Sequence, residues 1–465
     1  MSAPLRVSVI GTGYLGATHA VCMAVLGHQV VGVDRDAAKV AALADGSVPF
    51  YEPGLEELLR GALGTGRLRF TTDLAEAADA DVHFLCVGTP QRPGSGAADL
   101  SALESVVADL APLLGERCLV VGKSTVPVGT SARLVEMLEK LAPADVELAW
   151  NPEFLREGLA VEDTLRPERL VIGVGSSYAQ QVLEDCYRPL LDDGVPCVVT
   201  DTATSELVKV AANSFLATKI SYINAMAEVC EATGADVTDL ARALALDSRI
   251  GGAFLRPGLG FGGGCLPKDL RAFAHRAEEV GVGQAVSFLH DVDAINLRRR
   301  LRVVDLVRDA VGGDLSGVRV CLLGAAFKPG SDDVRDSPAL DVARMLHAEG
   351  ADVVLTDPQA GDNARRVLPD VRHVHDPLTA ATRAQVVALL TEWDEYRSLD
   401  PVRLGRLVAG RNVVDARHAL DAEQWRAAGW RYTAPGIGSP VPAGVPGQVH
   451  RQDIPRQRHR SRVSA

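Results

Sequence analysis

The sequence predicts an α/β protein in which two doubly wound domains are joined by a long central helix. Two regions, near residues 7–200 and 313–434, alternate short valine- and leucine-rich runs with helical runs. That alternation is typical of parallel sheets covered by helices. Between them, the stretch from Ser205 to Glu231 has few helix breakers and is followed by Thr233-Gly234. It predicts one helix of about 40 Å.

The bulk composition limits the classes of protein. With 465 residues, of which 47% are hydrophobic, the chain is long enough for two or three packed domains. A net charge of −12 argues against a nucleic-acid or anionic-membrane partner. The eight cysteines form no C-x-x-C pair, which favours a reducing compartment over a disulfide framework. With no signal-peptide pattern and no membrane-length apolar run, we expect a cytoplasmic protein.

The first predicted unit is a strand, a tight turn, a helix and a second strand. Residues 7–10 form the first strand, 17–26 the helix and 29–33 the second strand, with Asp34 at its end. The turn between them is Gly11-Thr12-Gly13-Tyr14-Leu15-Gly16. This is G-x-G-x-x-G in its functional context, so the first domain is predicted to be a Rossmann-like dinucleotide-binding domain.

The acid at the end of the second strand predicts the cofactor. Asp34 is placed to accept hydrogen bonds from the ribose hydroxyls of the adenosine and to repel a 2′-phosphate. We therefore expect NAD, although the adjacent Arg35 leaves NADP open. Two later strands, 81–87 and 119–122, are followed by Thr89 and Thr125. Both threonines are expected in the ligand crevice at the carboxyl ends of the strands.

The second half begins with another long helix and a second α/β unit. Residues 284–311 are predicted to be helical, with Arg298-Arg299-Arg300 as a solvated face. Strands at 318–323 and 352–356 then repeat the start of the first domain, but without the second and third fingerprint glycines. We infer a second Rossmann-like domain that holds no dinucleotide pyrophosphate. Beyond Pro435 the composition predicts a disordered tail.

A glycine-rich loop before one cysteine is the most distinctive segment of the chain. Five glycines occur within residues 258–264, so we expect a loop in which backbone, rather than side chains, comes close to another group. Cys265 follows, and a helix is expected to start at Pro267. Both the helix N-terminus and Lys268 are placed to stabilise a thiolate. A buried structural cysteine remains the alternative at this point.

Six motifs in one collinear order resemble the UDP-glucose/GDP-mannose dehydrogenase family. They are Gly11–Gly16, Ser124–Pro127, Asn151–Leu155, Lys209 with Asn213, the Cys265 loop and Ala326-Phe327-Lys328. The resemblance covers roughly residues 5 to 432. One departure is Gly264, where serine commonly precedes the nucleophile in the family.

The resemblance implies a role for each matched residue. The expected catalytic residues are Cys265 as nucleophile, with Lys209, Asn213, Asp269, Glu153 and Thr125. The expected NAD contacts are Gly11, Gly13, Tyr14, Leu15, Gly16, Asp34, Lys39, Thr89, Thr125, Glu157, Lys268 and Arg335. The expected nucleotide-sugar contacts are Phe154, Leu155, Arg156, Glu157, Lys209, Asn213, Arg249, Phe254, Leu255, Arg256, Pro257, Gly258, Gly262, Lys328 and Arg411. No metal is expected.

The resemblance also implies an activity and an assembly. The activity is a four-electron oxidation of the sugar's primary alcohol to an acid through a thiohemiacetal and a thioester on the cysteine, with two NADH formed. The segment 247–251 favours UDP-glucose over GDP-mannose or a UDP-N-acetylhexosamine. A homodimer is expected, with Arg249 crossing the interface. The expected domains are 1–200 for NAD, 201–312 for dimerisation and active site, 313–434 for the nucleotide sugar, and 435–465 as the tail.

Two rivals from other classes remain. A two-electron hydroxyacid dehydrogenase of related architecture would leave Cys265 without a function. A non-catalytic NAD-sensing protein would have no need of a nucleophile, whereas the Cys265, Lys209 and Asp269 set is present.

Overall fold

The structure is a computed structural model that describes residues 4–115, 117–143 and 145–437. Most of the expected tail, from residue 438 onward, lies outside the described residues. Gly436 and Ile437, which the tail prediction included, pack against the central region: Gly436 N donates to Glu231, and Ile437 forms a β-bridge with Asp236.

The first domain contains one eight-stranded sheet within the described residues, in the order β3-β2-β1-β4-β5-β6-β7-β8. The strands are β1 Arg6–Ile10, β2 Gln29–Val33, β3 Leu68–Thr71, β4 Val82–Leu85, β5 Cys118–Gly122, β6 Val146–Trp150, β7 Leu170–Gly173 and β8 Cys197–Thr200. All neighbours are parallel except β6 and β7. The chain order reverses beside β1, which places the ligand crevice at the carboxyl ends of β1 and β4.

Helices cover both faces of this sheet. They are α1 Tyr14–Val25, α2 Ala37–Ala44, α3 Leu55–Gly64, α4 Ser101–Leu110, α5 Thr130–Leu141, α6 Ala160–Leu165, α7 Ser177–Cys186 and α8 Arg188–Asp192, with 3₁₀ turns at Leu74–Ala77 and Ala111–Leu113. Two apolar clusters, one on each face, contain the buried side chains of the sheet.

The central segment consists of α9 Thr202–Thr233, α10 Val237–Ala245, α11 Leu266–Glu279, a 3₁₀ turn Gly283–Val286 and α12 Phe288–Ala310. The predicted central helix is confirmed and extends beyond its predicted ends. Asp201 caps its start by accepting from Thr204 N, and Gly234 ends it with a φ of 75°. At about 1.5 Å per residue, its 32 residues span roughly 48 Å.

The second domain has a six-stranded parallel sheet over the described residues, in the order β11-β10-β9-β12-β13-β14. The strands are β9 Arg319–Leu323, β10 Asp352–Thr356, β11 Arg372–His373, β12 Val386–Leu389, β13 Asn412–Asp415 and β14 Arg431–Thr433. The helices are α13 Pro338–Ala348, α14 Gly361–Val367, α15 Pro377–Ala381, α16 Asp394–Arg397, α17 Pro401–Leu404 and α18 Ala422–Ala427. The predicted fold class, two Rossmann-like domains joined by a long helix, is confirmed.

The prediction of a solvated arginine run on α12 is wrong for two of its three members. Arg299 and Arg300 are only 1% and 3% exposed. Arg300 pairs with Asp336 and Asp341 of the second domain, and Arg299 lies 3.6 Å from Glu231 of α9. These residues join the central helices to the second domain, so α12 is a structural bridge rather than a solvent face.

Candidate active site

Cys265 lies at the junction of the glycine-rich loop and α11. It is the N-cap residue of that helix, which begins at Leu266. The preceding loop is held too closely for side chains: a Cβ on Gly262 would lie 2.2 Å from the carbonyl oxygen of Asp336, and one on Gly263 would lie 2.8 Å from the ring of Phe327. The loop therefore connects the cysteine to the second domain by backbone contact, as its composition predicts.

The thiol of Cys265 is exposed, whereas six of the other seven cysteines are buried. All eight are free. Desolvation by the surrounding protein, together with the carboxylates of Glu153 and Asp269, raises the pKa of the Cys265 thiol to about 12. The nearby Lys209 ammonium opposes that rise. In the ligand-free protein the thiol is therefore protonated but accessible.

Lys209 and Glu153 form a buried ion pair next to the cysteine. The ammonium lies 2.9 Å from Glu153 Oε1, and the two side chains are 6% and 12% exposed. Burial alone would lower the pKa of Lys209, but the carboxylates of Glu153 and Asp269 raise it above the ordinary lysine value. Lys209 is thus held as a cation, which suits it to stabilise an oxyanion rather than to act as a base. Its ammonium also lies 5.6 Å from the centroid of the Phe154 ring.

Asp269 is the second buried carboxylate of the site and is 1% exposed. Asn213 Nδ2 donates to its Oδ2 at 2.7 Å, and Lys268 Nζ donates to its Oδ1 at 2.6 Å. The expectation that Lys268 stabilises the Cys265 thiolate is therefore not supported, because its ammonium pairs with Asp269. Lys209 is the cation that acts on the thiol.

One face of the central helix positions these groups. Lys209 and Asn213 are one turn apart on α9, as their spacing predicts. Glu206, one turn earlier and 1% exposed, accepts from Gly129 N at 2.7 Å and Ser131 N at 2.6 Å, and so holds the loop that follows Thr125. Sequence reasoning missed Glu206, because its partners lie 75 or more positions away and no local pattern indicates them.

Three further residues that sequence reasoning missed hold the glycine-rich loop. Asn224 of α9 accepts from Gly258 N at 2.8 Å, and Asn296 of α12 accepts from Phe261 N at 2.7 Å. Arg417 of the second domain donates to the Gly260 carbonyl at 3.0 Å. Buried asparagines within helices were the available signal, since such residues need specific partners.

The fingerprint turn has the geometry that a dinucleotide requires. Gly11 has a φ of 89°, and a Cβ on Gly16 would lie 1.8 Å from the Gly11 carbonyl oxygen. The Cβ position of Gly13 has no atom within 4 Å, so open space lies above the N-terminus of α1. These residues fit a pyrophosphate. Leu15 packs into the sheet's apolar cluster, so its contribution to the cofactor is through backbone.

Asp34 stands at the end of β2 and is ionised. Its Oδ2 accepts from Thr12 N at 2.9 Å and from Lys39 Nζ at 2.8 Å, and its Oδ1 accepts from Asp36 N at 3.0 Å. Burial acts to raise its pKa, but these hydrogen bonds hold the pKa below the ordinary aspartate value. The two residues predicted to contact the adenosine ribose, Asp34 and Lys39, are therefore adjacent.

The two crevice threonines also meet. Thr89 Oγ1 donates to the Thr125 carbonyl at 2.7 Å, which links the ends of β4 and β5.

Tyr14, which was predicted to contact NAD, is hydrogen-bonded within the protein. Its hydroxyl donates to Glu52 and accepts from Gly158 N at 3.1 Å. Tyr14 thus ties the fingerprint helix to the turn after Glu157.

Glu157 joins the two domains across the cleft. Ser331 Oγ donates to its Oε2 at 2.7 Å, and Arg335 Nη2 donates to its Oε1 at 3.3 Å. Burial and the neighbouring Asp333 raise the pKa of Glu157 to about 7, although Ser331, Arg335 and Lys328 oppose the rise. Arg335 also packs over the backbone of the nucleophile loop, since a Cβ on Gly264 would lie 2.4 Å from its guanidinium carbon. A serine there, as in the family, would require Arg335 to move.

The raised pKa of Glu157 predicts a pH-dependent stability. A carboxyl whose pKa is about 7 when folded and 4.5 when unfolded favours folding most below pH 4.5, and this contribution is lost as pH rises to 7. The loss is on the order of 3 kcal/mol. We expect Glu157→Gln to melt close to wild type at pH 5 and above it at pH 8. Scanning calorimetry measures the melting midpoints, and the surface variant Glu162→Gln is the control. If Glu157→Gln and wild type melt at the same temperature at pH 5 and also at pH 8, the prediction is contradicted.

Several predicted sugar-nucleotide residues lie on the surface of the single chain. Arg249 is 86% exposed and is held by Asp247 at 2.7 Å. Arg156 pairs with Asp163 at 2.6 Å. Phe254, with a φ of 63°, and Arg256 are exposed, whereas Leu255, Pro257, Gly258 and Gly262 are buried along the loop to the second domain.

Arg411 lies away from the carboxyl ends of the strands in the single chain, and its assignment to the nucleotide-sugar site stays a prediction. It precedes β13 and donates to the Gly405 carbonyl at 3.3 Å and the Ala428 carbonyl at 3.2 Å. It is therefore at the amino edge of a parallel sheet, whereas Lys328 follows the carboxyl end of β9. Arg417, after β13, is the arginine at the cleft edge, and its Nη2 donates to the Phe327 carbonyl at 3.3 Å.

The second domain lacks a ribose-binding acid. Asp357, at the end of β10, is 3% exposed and accepts from the backbone of Ala325, Ala326, Gln359 and Ala360 and from Trp393. Its carboxylate oxygens accept five hydrogen bonds within the protein, and that this domain holds no dinucleotide stays a prediction. In the described part of the chain, no group of three or more His, Cys, Asp or Glu suits a metal ion.

The NAD fingerprint on one domain and the polar cleft facing the second define a class: the chain is an NAD-dependent oxidoreductase. Models of the UDP-glucose/GDP-mannose dehydrogenase family match along the chain, with the NAD binding domain at residues 5–191, the central domain at 203–298 and the UDP binding domain at 321–422. The chain belongs to this family, and its substrate is a nucleotide sugar.

Individual relatives agree with the family models. A UDP-glucose 6-dehydrogenase of Rhizobium meliloti is 42% identical over 94% of this chain and 100% of its own, and one of Bacillus subtilis is 38% identical over 95% and 94%. The solved UDP-glucose dehydrogenase of Pyrobaculum islandicum matches with a TM-score of 0.87 and 39% identity, covering 94% of this chain and 99% of its own. In the described part of the chain, no helix is both long and apolar enough to cross a membrane.

Proposed function

We propose that the chain catalyses the four-electron oxidation of UDP-glucose to UDP-glucuronate with two NAD per turnover. The observation that best supports this activity is the exposed thiol of Cys265 near two buried donor–carboxylate pairs, Lys209 with Glu153 and Asn213 with Asp269. Names of relatives at 38% and 42% identity support UDP-glucose as the sugar nucleotide.

Each chemical step has a matched group in the cleft. Bound NAD would accept one hydride in each oxidation. Cys265 Sγ attacks the aldehyde carbon while its proton passes to the aldehyde oxygen, so forming the thiohemiacetal needs no free thiolate and suits a thiol of pKa about 12. The Lys209 ammonium has three N–H groups and uses one on Glu153, which leaves donors for the sugar oxygen.

Hydrolysis completes the sequence. Water attacks the carbonyl carbon of the thioester, the carbon–sulfur bond breaks, the acid leaves and Cys265 recovers a proton. The carboxylates of Asp269 and Glu153 are the acceptors for protons released during oxidation and hydrolysis, because both lie against the donors that contact the reacting oxygen.

The parts of the chain divide this work. We assign NAD to residues 1–200, dimerisation and the nucleophile to 201–312, and the nucleotide sugar to 313–434. Lys328 supplies a cation for the diphosphate from the second domain. Burial lowers the pKa of Lys328 and the facing Glu157 opposes that, and a bound diphosphate would further favour the charged ammonium.

A cytoplasmic homodimer is the proposed assembly. Phe215, Tyr222 and Val229 recur every seven residues along α9 and are 66%, 51% and 51% exposed, and Leu297 and Leu301 of α12 are 42% and 55% exposed. An apolar stripe of this kind on a long helix favours association. A partner across it would give the exposed Arg249 a site in the other subunit.

Subunit sharing predicts complementation. Arg249→Ala and Cys265→Ala homodimers are each expected to be nearly inactive, whereas a mixed dimer regains one competent site because each subunit supplies what the other lacks. Tagged co-expression and measurement of NADH formation test this. Exchange-competent mixtures without any recovered activity would contradict a shared site.

The rival substrates and chemistries separate in one assay. NADH formation is followed across UDP-glucose, GDP-mannose and UDP-N-acetylhexosamines, with the yield per sugar counted. We expect UDP-glucose to be preferred and to give two NADH. A yield of one would indicate the hydroxyacid-type two-electron reaction, and no NADH with any sugar would indicate a non-catalytic protein.

A further inference from the structure

An open cavity of about 200 Å³ lies beside α11, away from the fingerprint turn. Arg92, in the loop before α4, and Arg133 of α5 line its outer part. Its walls also include three small or branched apolar residues: Ala98, Val128 and Ala272. Ala98 and Ala272 are only 7% and 8% exposed, so they lie at its depth rather than at its rim.

A second cavity continues from the same wall toward the active site. It shares Ala98, Val128 and Ala272 with the outer cavity, and it reaches Thr125 and Asp269. Its volume is about 10 Å³, which is the space of a single water molecule. Thr125, Asp269 and Lys268 provide polar partners for a water, and the shared wall consists of Ala98, Pro127, Val128 and Ala272 together with the Arg276 side chain.

Asp269 is the inner end of this path. Each of its carboxylate oxygens accepts one hydrogen bond, from Asn213 at 2.7 Å and Lys268 at 2.6 Å, and retains acceptor capacity for a water. The side chain is 1% exposed, so bulk solvent does not reach it directly. Asp269 lies one turn after Cys265 on α11, and its backbone N–H donates to the Cys265 carbonyl at 2.9 Å, so a water at Asp269 would lie near the acyl group that Cys265 would carry.

We propose that the two cavities form a water-entry route that supplies the water for hydrolysis of the Cys265 thioester. The inference rests on the proposed function, because only a covalent acyl-enzyme needs such a water. At that stage the sugar is attached to Cys265, so the water has to reach the thioester carbon from a side that the sugar nucleotide does not occupy. The water oxygen bonds to the thioester carbon, the carbon–sulfur bond breaks, one proton returns to Sγ, and the other passes through Asp269 to solvent.

Ala272→Leu tests the route, because the larger side chain narrows the passage at the wall that both cavities share. Leucine is compatible with α11, and the outer cavity has room for the added atoms. We expect a burst of two NADH per active site at the wild-type rate, followed by steady turnover slowed at least about tenfold. Intact mass spectrometry is expected to show the acyl adduct on the protein. Ala272→Ser, which leaves the path open, is the matched control and is expected to behave as wild type.

Other outcomes overturn the route. The route is contradicted if folded Ala272→Leu protein has wild-type steady turnover and no acyl adduct. It is also contradicted if the NADH burst of this variant is slowed by the same factor as its steady turnover. If thermal melting shows that Ala272→Leu is unfolded, Ala98→Leu narrows the path from the opposite wall and decides by the same readouts. Wild-type enzyme that yields fewer than two NADH per UDP-glucose contradicts the proposed function instead, before any variant is compared.

Discussion

Cys265→Ala is expected to abolish UDP-glucuronate formation and to leave NAD binding unchanged. Without sulfur, neither a thiohemiacetal nor a thioester forms, and loss of a covalent nucleophile costs several orders of magnitude in rate. The thiol is exposed, so its removal creates no cavity and the thermal midpoint is expected to stay close to wild type. Steady-state acid formation, NAD titration and thermal melting of one purified variant measure all three.

A buried cysteine provides the control for that result. Cys321, inside β9 and 0% exposed, is expected to show the reverse pattern on change to alanine: a lower melting temperature with turnover unchanged. Cys265→Ala protein that melts early but still forms acid would show that Cys265 is structural. That outcome would favour the two-electron dehydrogenase.

The sheets were predictable because buried parallel strands are continuous apolar runs with clear ends. Strands β2 and β10 have the predicted bounds to the residue. The central helix begins three residues before its predicted start, because Asp201 caps it. That cap is a local signal, and attention to it would have corrected the boundary from sequence alone.

The arginines show that local sequence patterns do not predict which charged side chains are buried or which edge of a sheet they occupy. Arg299 and Arg300 read as a charged surface run, but their partners are carboxylates on α9 and in the second domain. Arg411 and Arg417 are six positions apart, and only the strand direction places Arg417 at the cleft and Arg411 at the opposite edge. Charge alone does not distinguish these cases, since burial depends on residues distant in sequence.

The sequence proposes the members of the candidate site but does not indicate how their side chains pair. The spacing of Lys209 and Asn213 predicts a shared helix face. Their pairing with Glu153 and Asp269 crosses 56 positions in each case, so it exists only in the folded chain. The Lys268–Asp269 pair joins adjacent residues, and it was missed because two neighbouring side chains at the start of a helix were not expected to turn towards each other.

Lys209→Met is expected to lower both stability and turnover. Removing the ammonium leaves Glu153 buried without its partner, which costs about 3 kcal/mol of unfolding free energy. It also removes the donor for the reacting oxygen, which costs about 100- to 1,000-fold in kcat. The loss of stability comes from the unpaired Glu153 carboxylate, whereas the loss of turnover comes from the missing ammonium. The double variant Lys209→Met with Glu153→Gln therefore separates the two effects.

The double variant is expected to regain most of the lost stability, since a neutral amide no longer needs the cation, but none of the lost turnover. Denaturant unfolding and kcat measured on the same preparations provide the comparison. Lys140→Met, which breaks an exposed pair with Glu136, is the matched control and is expected to cost less than about 1 kcal/mol with full activity. Recovery of turnover in the double variant would mean that Lys209 serves only to neutralise Glu153, and the oxyanion would then need another donor.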